Sequence, residues 1–123
     1  LFHVGDLTKD FSNPNRLKKI MDRFPKLRPI AAHMGGYTVW NEALEIFEKK
    51  EIWYDTSSSF HYLTDAKIKE IMNRKGVEKI LFGTDYPMWD FEKEYERMIS
   101  LGLNEYQLLK IFSGNCRELL NLR

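Results

Sequence analysis

The sequence predicts an α/β fold with a parallel sheet, and three observations carry that expectation. Four short apolar runs, at residues 1–4, 29–33, 52–55 and 77–82, are each followed by a stretch with helical spacing, and parallel strands need such crossovers whereas antiparallel hairpins do not. Each run ends at or near a titratable residue, His3, His33, Asp55 or Asp85, separated by 30, 22 and 30 residues, about one βαβ step each. Glycine or proline marks the exits: Gly5, Gly35-Gly36, and Gly83 with Pro87. In a parallel sheet the four titratable side chains fall on one rim, the carboxyl ends of the strands, where α/β folds bind ligands.

In chain order, residues 1–4 read as the end of a buried strand stopped by Gly5-Asp6. Asn13-Pro14 is an N-cap with proline at the first helical position, and Leu17, Ile20, Met21 and Phe24 keep helical spacing up to Pro25. Residues 29–33 form the second strand, closed by Met34-Gly35-Gly36. A helix over about 41–50 follows, with Ala43, Leu44, Ile46 and Phe47 inward. The third strand, 52–55, leads into Thr56-Ser57-Ser58-Ser59. Thr64 or Asp65 caps a helix through about Arg74, carrying Ile68, Ile71 and Met72, with Gly76 as its stop. The fourth strand runs into Gly83-Thr84-Asp85. Three more helices are expected: 91–100, one from an Asn104 cap through Phe112, and a short terminal one at 113–122.

At 123 residues the chain is at most one domain. Nineteen basic and 18 acidic residues give a net charge of +1, which offers no electrostatic reason to expect nucleic acid or an anionic membrane as partner. No apolar run approaches the roughly 20 residues of a membrane span. Cys116 is the single cysteine, which excludes an intramolecular disulfide and fits a cytoplasmic setting. The opening Leu1-Phe2-His3-Val4-Gly5 reads as if it began inside a strand, so a fragment or processed chain is expected.

The candidate site follows from the shared rim. His3, His33 and Asp85 are two imidazoles and a carboxylate, a ligand set suited to zinc or another divalent transition metal. Taken singly, each has a plain alternative: a strand-end histidine bonded to a carbonyl, or a turn aspartate. The Gly35-Gly36 turn could present backbone N–H groups to an anion, although no phosphate-loop motif accompanies it. Asp55 reads as a carboxylate accepting hydrogen bonds from the 56–58 loop. His61 faces substrate or solvent. Trp40, Trp53, Trp89, Tyr37 and Tyr86, with Met34 and Met88, read as core or lid packing, one or two of them shaping a pocket. Cys116 reads as a small buried hydrophobe.

His3-Val4-Gly5, Ala32-His33-Met34-Gly35-Gly36, Tyr54-Asp55-Thr56-Ser57 and Phe82-Gly83-Thr84-Asp85-Tyr86-Pro87, in that order and spacing, resemble the C-terminal half of the amidohydrolase-related family of metal-dependent hydrolases and decarboxylases. The stretch 114–120 resembles that family's closing helix, with Cys116 where alanine is usual. The resemblance implies the C-terminal half of a (β/α)8 TIM barrel, its strands five to eight. It implies His3 and Asp85 as metal ligands, His33 and Asp85 as catalytic residues, a divalent metal with zinc as the first expectation, and a small-molecule substrate. The His-x-His pair of strand one is absent, and a whole barrel needs about 250 residues. The function expected is therefore hydrolysis by a metal-activated water, with decarboxylation as the alternative. A further alternative is a non-catalytic half-barrel that pairs with a second copy, or with its missing N-terminal half, through open sheet edges.

Overall fold

The structure, a computed structural model, describes residues 1–122. Three parallel strands form the sheet: β1 (Ile30–Ala31), β2 (Trp53–Asp55) and β3 (Ile80–Leu81), in the order β1-β2-β3. Ile30 pairs with Trp53, and Tyr54 with Ile80. Helices α1 (Pro14–Arg23), α2 (Trp40–Phe47), α3 (Asp65–Lys75) and α4 (Phe91–Ser100) alternate with the strands, and α5 (Glu105–Leu109) and α6 (Asn115–Leu119) close the chain.

Local chemistry sets the helix ends. The Asn13 side chain accepts from the backbone N–H of Asn15, with Pro14 at the first turn; Thr64 caps α3, and Gly76 at φ 90° ends it. Asp90 caps α4, and Asn104 and Gln107 form a reciprocal capping box on α5. The inward stripes are Leu17 and Met21, then Ala43, Leu44 and Phe47, then Ile68, Ile71 and Met72; they meet Tyr54 and Ile80 from the sheet in one core. Ile20 and Phe24, expected on the inward face of α1, are instead exposed.

Two expectations need correction. The first strand is reduced to a single parallel bridge between Phe2 and Ala31, with Phe2 N–H donating to Ile30 O and Ala32 N–H to Phe2 O, both at 2.8 Å. Gly5, at φ 86°, turns the chain away, and the Val4 carbonyl accepts from Tyr37 N–H instead of extending a ladder. The sheet thus has three strands and a bridge rather than four strands. The last two helices are also not separate: residues 110–114 form a π-helical turn that joins α5 to α6 without a break. Phe82 N–H donates to Ile111 O in this turn, and Asn115 Nδ2, at the start of α6, donates to the carbonyls of Val77 and Ile80, so the turn and α6 together grip both ends of β3.

At the opposite end of the sheet from the candidate site, Lys75 Nζ donates to the carbonyls of Phe47 and Lys50, closing the end of α2, and burial pulls its pKa down to about 8. A lysine pKa lowered on folding means that the unfolded chain binds more protons between about 8 and 10.5, so this group's contribution to stability rises with pH across that window. The stability difference between the native protein and Lys75→Met is expected to move in favour of the native protein from pH 8 to pH 10.5. Paired denaturant melts check this, and a pH-independent difference refutes it. Among the described residues no helix is long and apolar enough to cross a membrane.

Candidate functional site

The strand exits carry unusual backbone. His33, Met34, Ser58 and Asp85 have φ of 62°, 53°, 48° and 61°, the left-handed region that non-glycine residues seldom adopt. Such conformations persist where surrounding contacts over-determine them, and they concentrate at functional sites. Here the contacts are explicit. Asp55 Oδ1 accepts from His33 N–H at 3.0 Å and Asp55 O accepts from Met34 N–H at 2.6 Å, while Trp40 Nε1 donates to His33 O at 2.8 Å. The two glycines that follow admit close neighbours: a Cβ on Gly35 would lie 2.6 Å from the Tyr54 ring, and one on Gly36 would lie 2.7 Å from Ala43 Cβ. Their N–H groups donate to Ala32 O and His33 O, so the turn is self-satisfied and presents no anion cradle, which corrects that expectation.

His3, His33 and Asp85 line one cleft of about 320 Å³. Tyr37, Tyr62, Ser58 and Met88 complete its walls. His3 and Asp85 sit at the exposed edge, whereas His33 is 8% exposed. The two imidazoles meet edge to face, with His3 Nδ1 and His33 Nε2 2.8 Å apart. The other nitrogen of His33, Nδ1, lies 3.0 Å from both Ser57 O and Ser57 Oγ. A carbonyl only accepts, so His33 Nδ1 carries the proton. In the neutral ring Nε2 is then the acceptor and His3 Nδ1 the donor, which leaves His3 Nε2 with its lone pair.

That pattern bears on a metal. A ligating histidine commonly donates its second N–H to a fixed acceptor, as His3 does to His33. The donors therefore fit a divalent ion in kind, through His3 Nε2 and the Asp85 carboxylate. They fall short in number: among the described residues no three His, Cys, Asp or Glu side chains converge to hold a metal ion, and catalytic zinc normally takes three protein ligands. The three-residue set expected on this rim does not close because His33 Nε2 is turned onto His3 and is occupied there.

Asp55 is not at the cleft. It lies beneath the site, 9% exposed, its Oδ1 accepting from His33 N–H, Ser57 N–H and Ser57 Oγ. The expected bonding to the 56–58 loop is present, and the bond to His33 is additional. Asp85 Oδ2 accepts from Ser58 Oγ at 2.7 Å, and Ser58 Oγ accepts from Trp89 Nε1 at 2.8 Å. Trp89 stacks on His61 with centroids 3.7 Å apart, and His61 Nε2 lies 3.2 Å from Glu94 Oε1. Glu94 is 2% exposed, and burial raises its carboxyl above the usual range, with His61 opposing. Tyr86 is exposed rather than packed as a core or lid, Met88 is exposed but shapes the cleft, and Met34 and Trp53 are buried. Cys116 is partly buried against the small cluster of Trp53, Leu81 and Leu119.

Sequence reasoning passed over Ser58, Tyr62 and Glu94. Glu94 had a usable signal, because it sits four residues before Met98 and seven before Leu101, on the buried stripe of α4. Ser58 had none, since its direction follows from a left-handed backbone.

Comparison with known proteins supplies the context of this rim. A decarboxylase, orsB, from Emericella nidulans is 28% identical over 125 residues, covering 84% of this chain and 37% of the relative. A 2,6-dihydroxybenzoate decarboxylase from Rhizobium has a TM-score of 0.72 at 22% identity, over 89% of this chain and 40% of that one. A dihydroxybenzoic acid decarboxylase from Polaromonas sp. JS666, solved with bound manganese and 2-nitroresorcinol, scores 0.71 at 22% identity, over 89% of this chain and 39% of that one. A TIM-barrel protein from Bordetella bronchiseptica scores 0.80 at 22% identity, over 98% of this chain and 44% of that one. The chain thus spans roughly two fifths of the length of these relatives, and its fold is that of part of a TIM barrel. The model of the family described as Amidohydrolase matches residues 1–122, and the chain belongs to that family.

Proposed function

We propose that the intact protein carrying this chain is a decarboxylase of the amidohydrolase family acting on a small aromatic or unsaturated carboxylate, with this chain supplying strands five to eight of the barrel. The observation that carries the reading is the gathering of His3, His33 and Asp85 on one cleft at the strand exits. The decarboxylase relatives support it over the hydrolase that the residues first suggested.

Non-oxidative decarboxylation breaks one C–C bond, releases CO₂ and places one proton on the carbon left behind. The site must bind a carboxylate, hold it against a proton source and exclude water. His3 and Asp85 would hold a divalent ion together with donors from the rest of the barrel, and the ion when bound supplies Lewis-acid polarisation of substrate oxygens. His33, its Nδ1 committed to Ser57, works through Nε2 and steadies His3. Asp85 takes up and returns the proton at its exposed carboxylate. Tyr37 and Tyr62 meet edge to face, centroids 5.2 Å apart, and supply an apolar wall suited to a planar ring. The manganese in the Polaromonas protein makes manganese as reasonable an occupant as zinc.

The test is CO₂ release from 2,6-dihydroxybenzoate by the intact protein. Turnover is expected with added Mn²⁺ or Zn²⁺, and chelation is expected to reduce it by at least about 10²-fold, the scale of a lost electrostatic stabiliser. Turnover that is unaffected by chelation refutes the metal-dependent reading. A hydrolase acting through a metal-activated water, the chemistry the residues first suggested, remains the second reading.

A further inference from the structure

The loop after β2 buries four consecutive hydroxyls: Thr56, Ser57, Ser58 and Ser59 are 0%, 6%, 5% and 0% exposed. Burying a hydroxyl is unfavourable unless it is hydrogen-bonded, and a loop that served packing alone would do as well with alanine. Each of these hydroxyls is bonded. Thr56 Oγ1 donates to Gly83 O and accepts from Gly83 N–H, tying the loop to the exit of β3, and Ser59 Oγ donates to Ser57 O. The two hydroxyls between them reach opposite sides of the cleft. Ser57 Oγ donates to Asp55 Oδ1 at 2.5 Å and accepts from His33 Nδ1 at 3.0 Å. Ser58 Oγ donates to Asp85 Oδ2 and accepts from Trp89 Nε1. The left-handed backbone at Ser58, φ 48°, is what sends two adjacent side chains to two different site residues.

We propose that Ser57 and Ser58 are positioning residues, a two-hydroxyl clamp that sets the His33 imidazole and the Asp85 carboxylate relative to each other across the cleft. The proposal rests on the reading above that His33 and Asp85 do the chemistry. Through Ser57 Oγ the clamp adds a second acceptor beside the carbonyl that fixes the Nδ1–H tautomer, and so orients the His33 ring with Nε2 facing His3. Through Ser58, braced by the Trp89 indole, it holds one carboxylate oxygen of Asp85 and leaves the other free. Ser57 lies behind His33, and Ser58, although it lines the cleft, has its hydroxyl committed to Asp85 and Trp89, so the expected effect falls on kcat more than on KM.

The experiment uses the intact protein with 2,6-dihydroxybenzoate as probe, and ¹⁵N-histidine NMR as a readout independent of turnover. Ser57→Ala and Ser58→Gly are each expected to lower kcat about 10- to 100-fold with KM changed less than about threefold, the scale of a misplaced reacting group. Ser57→Thr, which restores the hydroxyl, should recover most of the loss. Ser58→Gly separates positioning from folding, because glycine suits the left-handed backbone and should keep or raise the melting temperature while activity falls. The ¹⁵N spectrum should show His33 as the Nδ1–H tautomer in both proteins, because the Ser57 carbonyl is kept, with the Nδ1 resonance moved in Ser57→Ala by loss of the Oγ contact. Native kcat in both serine variants, or a His33 Nδ1 resonance unchanged by Ser57→Ala, overturns the clamp. Loss of activity that only tracks loss of melting temperature also overturns it. If instead His33→Gln and Asp85→Asn keep native turnover, or the probe is not turned over at all, the functional reading falls and the NMR result alone decides the clamp.

Discussion

Asp85→Asn in the intact protein is expected to lower kcat by about 10²- to 10⁴-fold, the span of a lost general acid or base, while the protein stays folded. The replacement is nearly isosteric. Asparagine tolerates the left-handed backbone at this position, φ 61°, better than most residues, and its carbonyl oxygen can still accept from Ser58 Oγ. Asp85 is exposed at the rim, so its removal leaves no cavity. What disappears is the negative charge, and with it, on the proposed reading, both an anionic metal donor and a site for the transferred proton. Steady-state kinetics with a thermal melt on the same preparation check the prediction. A kcat within threefold of native in a folded variant would refute the assignment of Asp85.

The second large effect is structural. Gly35→Ala is expected to destabilise the protein by about 3 kcal/mol or more, from overpacking together with a non-glycine residue at positive φ. Gly35 has φ 89°, and its added Cβ would fall 2.6 to 2.9 Å from three atoms of the Tyr54 ring. Tyr54 is fully buried and packs against Phe47, so the ring has nowhere to move. The backbone must give way instead, and it is the backbone that holds His33 two residues earlier. Activity should therefore fall with stability in this variant, unlike Ser58→Gly, where the two should part. Chemical denaturation checks the magnitude; a loss under 1 kcal/mol would mean that the turn after β1 is softer than its contacts indicate.

Much of the fold was legible because it rests on near-neighbour chemistry. Asn13-Pro14, Thr64, Gly76 and Asn104 set helix ends through bonds within three or four residues, and a reader of the sequence meets all the partners. The parallel arrangement was legible too, since strand and helix alternate and each exit carries a titratable group. The first strand was overread, because a run of apolar residues does not reveal that Gly5 turns the chain off the sheet after one bridge. The π-turn at 110–114 was also hidden: it registers as helical spacing on both sides, so the chain reads as two helices.

The sequence by itself determined which chemical groups stand at the strand exits and that they share a rim, because a parallel sheet with helical crossovers leaves no other place for them. Only the tertiary structure decided how those groups are used. It turned His33 onto His3, placed Asp55 under His33 instead of in the cleft, and sent Ser58 to Asp85 with Trp89 behind it. The physical reason is common to all three: these directions depend on left-handed backbone at His33, Ser58 and Asp85. In a non-glycine residue that conformation is imposed by hydrogen bonds from segments 22 to 31 residues away, and nothing in the local sequence announces it.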